Sequence, residues 1–133
     1  LRIGIVFERI GDIALDIIDR SEIVRSYQKF LKKYGVPELF REVIKLSGQA
    51  AEAYTNNNKE LAKEIVSACK NTEETCKTVF QEIISQMTDK SDVIIIATDL
   101  ILIIRDLERI TGHIENIAES VAFIAEGKRI KHV

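Results

Sequence analysis

The sequence has few of the residues that mark several protein classes. Its 133 residues include one proline, two cysteines and no tryptophan. Cys69 and Cys76 have neither the spacing of a zinc finger nor that of a thioredoxin-like site. They lie seven residues apart, about 10 Å along a helix, so we expect two buried, reduced thiols and no disulfide between them. The lack of a disulfide framework favours a cytoplasmic protein.

Neither sign of charge is in large excess, and no long hydrophobic run is present. Lys and Arg number 19 against 21 Asp and Glu, for a formal net charge of -2. Nucleic-acid-binding domains concentrate positive charge, so we predict no direct nucleic-acid binding. The most apolar run, 93–104, contains Asp99 and is shorter than the ~20 residues that cross a bilayer, so no transmembrane segment is predicted.

The sequence motifs of several enzyme classes are absent. There is no Gly-rich phosphate-binding loop, and no Glu-x-x-His pair of the kind that di-metal carboxylate enzymes of the ferritin type require. A redox metalloenzyme built on a helical bundle therefore loses its main support. We predict that the chain is not an enzyme.

What the sequence does contain is apolar residues at helical spacing in four long stretches. We expect helices at about 1–33, 38–54, 59–87 and 91–127. The first is expected to bend at 19–22, and the polar segment 70–75 leaves an interruption of the third open. Gly35 is expected to end the first helix and Pro37 to begin the second, while the polar segment 55–58 predicts a tight turn. These elements predict an all-α protein, an antiparallel up-down four-helix bundle.

Two segments of the sequence resemble each other. Phe7-Glu8-Arg9-Ile10 at the start matches Leu107-Glu108-Arg109-Ile110 near the end, and in each copy an Ile and a further acid follow at the same positions. Such a repeat without gaps indicates a protein built from related helical units.

These two segments, 7–19 and 107–119, resemble the motif helices of the PhoU family, regulators of high-affinity phosphate uptake. The segment 50–62 is similar to the first hairpin of a family unit. Family members consist of two related three-helix units. The resemblance implies that 1–34 is the terminal helix of a first unit and 35–133 a complete second unit, together one compact bundle. The chain begins inside a predicted helix, and we expect it to be part of a longer protein.

The resemblance also implies a metal site, because an acid-x-x-x-Asp pair in the family motif is associated with iron or another metal such as Mn, Mg or Zn. The pair is intact as Glu8 and Asp12, whereas Gly112 stands at the aspartate position of the second copy. The candidate metal ligands are Glu8, Asp12, Glu108, Glu115 and Glu119. Residues four apart share a helix face, and carboxylates suit hard cations. The other interpretation is a solvated acidic face that Arg20 and neighbouring cations neutralise.

The function implied by the resemblance is non-enzymatic regulation of phosphate uptake or signalling. The expected partners are a phosphate transporter subunit or a sensor kinase, and we expect a homodimer. The alternative is a structural or adaptor bundle that dimerises through the apolar segment 93–104 and has lost metal binding.

Overall fold

The computed structural model describes residues 3–24, 28–87 and 90–124. Within these ranges the chain forms five helices and no strand, which confirms the predicted all-α class. The helices are α1 (Ile3–Val24), α2 (Gln28–Lys33), α3 (Val36–Asn56), α4 (Lys59–Ser85) and α5 (Ser91–Ile124). None of these helices is both long enough and apolar enough to cross a membrane.

Two of the predicted helix boundaries fall on residues outside the described ranges. Within the helix expected over 1–33 the structure describes α1 and α2, residues 25–27 lie outside the described residues, and α1 is helical throughout 19–22. The predicted end of the last helix at Gly127 also lies outside the described residues.

The polar segment 70–75 does not interrupt α4. The Thr72 hydroxyl donates a hydrogen bond to the Ala68 carbonyl at 3.0 Å, and the Thr75 hydroxyl does the same to the Asn71 carbonyl at 3.0 Å. These bonds satisfy the hydroxyls within the helix, so they do not compete with its backbone ladder. Thr72 is also buried with Cys69 and Cys76, and this packing favours a continuous helix.

The two helix junctions have the turn chemistry that the sequence predicts. Gly35 has φ of 67°, the left-handed conformation that ends many helices, and α3 begins directly after it with Pro37 in its first turn. At the α3–α4 turn Asn57 is left-handed with φ of 50°. The Asn58 carboxamide oxygen then accepts a hydrogen bond from the Leu61 N–H at 3.1 Å and caps α4. The α3–α4 connection is therefore a tight hairpin.

The last helix is the centre of the fold. Helices α3, α4 and α5 pack pairwise against one another, while α1 packs almost entirely against α5. Arg20 lies beside Asp106 and Arg9 beside His113, so α1 runs antiparallel to α5. Helix α4 also runs antiparallel to α5, because Arg105 lies over Phe80 and Glu115 contacts Glu73. The four long helices alternate in direction as predicted.

A single hydrophobic core joins residues of α1, α3, α4 and α5. The largest fully buried side chains are concentrated on α5: Leu100, Ile103, Ile104, Leu107, Ile114 and Ile117. The apolar segment 93–104 is not covered on every side, since Ile94 and Ile95 are exposed. The division of the chain at residue 34 stays a prediction.

Candidate functional site

The two copies of the repeated segment pack against each other through equivalent faces. On α1 the buried positions include Val6 and Ile13, and the positions one hundred residues later, Asp106 and His113, lie on the side of α5 that faces α1. The side of α1 that carries the acids is consequently left outside this contact. The repeat thus forms an antiparallel pair of related helices, with the second copy on the central helix α5 and the first packed against it.

The structure does not bring the predicted metal ligands together as one set. Glu8 and Asp12 are exposed on α1. Glu108 is partly buried on α5 and forms an ion pair with Arg105, with 3.5 Å between Arg105 Nη1 and Glu108 Oε1. Glu115 and Glu119 lie near each other on α5.

Among the described residues, no group of three or more His, Cys, Asp and Glu side chains is placed so that it could hold a metal ion. The arrangement therefore does not fit a metal centre formed by the described residues alone. Two features account for this: α1 turns its buried apolar side, not its acids, toward α5, and Gly112 supplies no ligand where the motif has aspartate. Metal binding stays a prediction.

A pair of carboxyl groups links α4 to α5. Partial burial, a hydrogen bond with Glu73 and the negative charges of Glu73 and Glu119 together raise the pKa of Glu115 to about 7, against the opposing charge of Lys70. A carboxyl group that shares a proton with another carboxyl is stabilised in its neutral form. Near neutral pH, Glu115 is therefore only partly ionised.

The sequence did not indicate that Glu73 contacts Glu115. Glu73 lies in the polar segment 70–75, which was interpreted as a place where α4 could break. The available signal was its spacing from Cys69 and Cys76, because a residue four after one core position and three before another lies at the edge of the buried face. Burial of Cys69 and Cys76 thus places Glu73 beside α5.

The two cysteines are free and buried, as predicted. Burial, together with the charges of nearby carboxylates, raises the pKa of each thiol to about 12. For Cys69 these are chiefly Glu115 and Glu73, and for Cys76 the larger contribution comes from Glu108. Because thiolate is the reactive form, neither residue has the environment of a nucleophile.

The sequence also did not indicate the buried acid on α5, Asp106. Asp106 lies between Arg20 of α1, whose Nε is 3.9 Å from Asp106 Oδ2, and Arg109, whose Nη1 is 3.3 Å from Oδ1. Burial raises the pKa of Asp106, and the charges of Arg109 and Arg20 oppose that rise. His113 lies one helical turn after Arg109. Burial and the positive charges of Arg9 and Arg109 lower the pKa of His113. It is therefore neutral at physiological pH.

These features define a class of protein: an all-α bundle organised around one long helix, with half-buried carboxylates and buried thiols beside that helix. Residues 36–121 match the family model of the PhoU domain. This match covers more than half of the chain, so the chain belongs to the PhoU family, as the motif helices indicated. A comparison with curated proteins and one with solved structures each found no match. The matched region includes the second motif copy and leaves out the first.

Proposed function

We propose that this chain regulates phosphate uptake or phosphate signalling by contact with another protein, either a phosphate transporter subunit or a sensor kinase. The observation that supports this proposal is the match of residues 36–121 to the PhoU domain, whose family is one of phosphate-uptake regulators. That family is regulatory and non-enzymatic, so the chain acts by binding and not by catalysis. Its proposed site of action is the cytoplasm, where the regulatory side of a transporter is accessible.

The test of this function is phosphate uptake in cells that lack the gene. Uptake of radiolabelled phosphate is measured in phosphate-rich medium before and after deletion, and again after the deleted gene is restored. We expect deletion to raise uptake and restoration to lower it. Equal uptake in all three strains would count against the proposed function, whatever the state of self-association or metal binding.

A metal-binding role for Glu8 and Asp12 is a separate proposal. Two carboxylates one turn apart on an exposed helix face supply part of a coordination shell, and water or a partner protein would supply the rest. The test is elemental analysis of the purified chain and of the double variant Glu8→Ala/Asp12→Ala. The matched control is Glu60→Ala/Glu64→Ala, which removes an equally spaced exposed pair from α4. Metal that the first variant loses and the control keeps would support the site; metal in none of the three proteins would exclude it.

The second candidate function is an adaptor that works through self-association and binds no metal. Two observations favour it: glycine at position 112 in place of the motif aspartate, and exposed apolar side chains along α5, including Ile95 and Phe123. Elemental analysis separates the two candidates in part, because an adaptor of this kind is expected to contain no bound metal after purification.

A further inference from the structure

A small apolar cavity lies at one end of the bundle, where α2, the end of α4 and the start of α5 meet. Its volume is about 170 Å³. The apolar residues that line it are Phe30, Ile83, Val93, Ala97 and Leu100. Ile83 and Leu100 are each only 1% exposed, and both belong to the hydrophobic core. The cavity is therefore a recess in the core itself.

Three polar side chains complete the lining of this cavity: Lys33, Tyr34 and Gln86. The Lys33 ammonium group and the Tyr34 hydroxyl both donate a hydrogen bond to the Gln86 carboxamide oxygen, the second of these at 3.0 Å. Lys33 Nζ also lies 5.5 Å from the centroid of the Tyr34 ring. Tyr34 is buried, whereas Lys33 and Gln86 are exposed. The cavity thus has apolar walls and a polar rim at the boundary with solvent.

The cation at the rim keeps donors for a further partner. An ammonium group has three N–H donors, and the hydrogen bond from Lys33 to Gln86 uses one of them. Within the described residues, no carboxylate forms an ion pair with Lys33. The contacts with Gln86 and the Tyr34 ring nevertheless hold the charge beside the cavity. An anion at the rim would therefore meet a cation that is already in position.

The volume of the cavity restricts the size of a ligand. An apolar cavity of roughly 150 Å³ is large enough to bind benzene. Pockets for drug-sized ligands are larger, at about 300–1,000 Å³. At about 170 Å³, this cavity fits one six-membered ring or an aliphatic group of similar size. It is too small for a nucleotide.

The composition of the rim indicates the polar group of the ligand. Lys33 is the one charged residue among those that line the cavity, and Tyr34 and Gln86 are uncharged. One positive charge matches the single negative charge of a carboxylate. Lys33 and Tyr34 both contact the oxygen of Gln86, so the N–H groups of its amide stay available as further donors. The rim therefore suits a carboxylate, which accepts hydrogen bonds from cations and amides.

We propose that this cavity binds a small monocarboxylate with an apolar body, about the size of benzoate. The apolar body lies against Ile83, Ala97 and Leu100, and the carboxylate lies at the rim, where Lys33 donates to it. Burial of the apolar body stabilises the complex, because the cavity walls gain contacts that they lack when the cavity is empty. The lining residues belong to three elements, so the ligand also stabilises the packing of α2 on α4 and α5. This inference does not depend on the proposed function.

The test is an NMR titration of the isotope-labelled chain with benzoate as the probe. We expect saturation with a Kd below about 5 mM, a value within reach of a ligand of this size. The chemical-shift changes are expected to be concentrated at the residues that line the cavity. Benzamide has the same ring and nearly the same size but carries no charge. We expect its Kd to be at least about fivefold higher, because it cannot form a charge-assisted hydrogen bond with Lys33.

Two variants test the parts of the cavity separately. Lys33→Met removes the charge at the rim and is expected to raise the Kd of benzoate about fivefold or more, with little effect on benzamide. The matched control is Lys32→Met, which removes an exposed charge from the same helix at a position that does not line the cavity. Ala97→Leu places three further carbon atoms in the cavity and is expected to abolish the binding of both probes.

Far-UV circular dichroism establishes that each variant is folded, and the comparison of Lys33→Met with Lys32→Met decides the proposal even if Ala97→Leu does not fold. Four results would each overturn it: a benzoate Kd above about 5 mM, chemical-shift changes away from the lining residues, equal affinity for benzoate and benzamide, or equal effects of the two lysine substitutions. A folded Ala97→Leu variant that binds benzoate as tightly as the unmodified chain would overturn it as well.

Discussion

The Nε atom of Arg20 on α1 lies 3.9 Å from Oδ2 of the buried Asp106 on α5, and within the described residues this nitrogen is buried without a hydrogen-bond partner. Asp106 is thus the counter-charge that stabilises a cation in the contact between the two motif helices. Burial makes the negative charge of Asp106 costly, and the pKa of Asp106 is raised as a result. Removing one partner of such a buried ion pair destabilises the folded protein strongly, because the other charge is left unpaired. A substitution that keeps the shape and polarity of the side chain destabilises it much less.

We therefore expect Asp106→Ala to lower the free energy of unfolding by about 1–3 kcal/mol and Asp106→Asn by less than about 1 kcal/mol. Alanine leaves Arg20 unpaired, whereas asparagine keeps an acceptor oxygen and removes the cost of a buried charge. Urea unfolding followed by circular dichroism measures both variants. Arg41→Ala on α3 is the control, since that side chain is 74% exposed and takes no part in the contact around Asp106. A similar loss of stability in Asp106→Ala and Asp106→Asn would contradict this account.

The carboxyl pair formed by Glu73 and Glu115 makes stability depend on pH. The pKa of Glu115 is raised to about 7 in the folded protein, above the value of an exposed Glu. A raised folded-state pKa means that the unfolded chain releases this proton first, so stability is lost as pH rises from the unfolded value through about 7.

Replacement of Glu115 by glutamine removes the ionisation, so the variant is expected to be more stable than the unmodified protein by roughly 1–2 kcal/mol at about pH 8. The gain in the free energy of unfolding is expected to be smaller at about pH 5, because Glu115 is then mostly protonated in the folded protein and little of the cost of its buried charge applies. Urea unfolding at both pH values is the measurement. The control is Glu60→Gln, which replaces an exposed acid on α4 that is not part of the carboxyl pair. A gain of the same size at both pH values would mean that Glu115 acts through something other than its charge.

The core thiols are expected to be unreactive in the folded protein. Cys69 and Cys76 are almost fully buried, and each thiol has a pKa of about 12. At neutral pH almost none of either thiol is ionised, and a reagent has access only when the helices open. Labelling by a disulfide reagent should therefore be at least about a hundredfold slower in buffer than in urea. Rapid labelling of either cysteine in buffer would show that α4 is not packed as described.

The residues that were predicted correctly are those that act through local chemistry. Gly35, Asn57 and Asn58 determine turns by their own conformations and side chains, and apolar spacing identified the long helices. Glu73 and Asp106 were missed because their roles depend on which helix lies beside them.

The predicted metal ligands show the same limit. Residues four apart on one helix must share a face, so Glu8 and Asp12 are correctly placed together. Whether that face meets other ligands depends on the packing of α1, and α1 uses the opposite side for its contact with α5. Spacing along one helix identifies neighbours on that helix only.

Two glycines are expected to respond in opposite directions to the same substitution. Gly35 has φ of 67°, a conformation that costs an L-residue with a side chain about 1 kcal/mol or more. Gly48 lies within α3, where an added Cβ would meet no atom within 4 Å. We expect Gly35→Ala to destabilise the protein by about 1 kcal/mol and Gly48→Ala to stabilise it by up to about 1 kcal/mol. The substitution adds the same methyl group in both cases, so the difference isolates backbone conformation. Thermal unfolding measures both variants side by side, and a stabilising Gly35→Ala would mean that the α2–α3 junction is not left-handed.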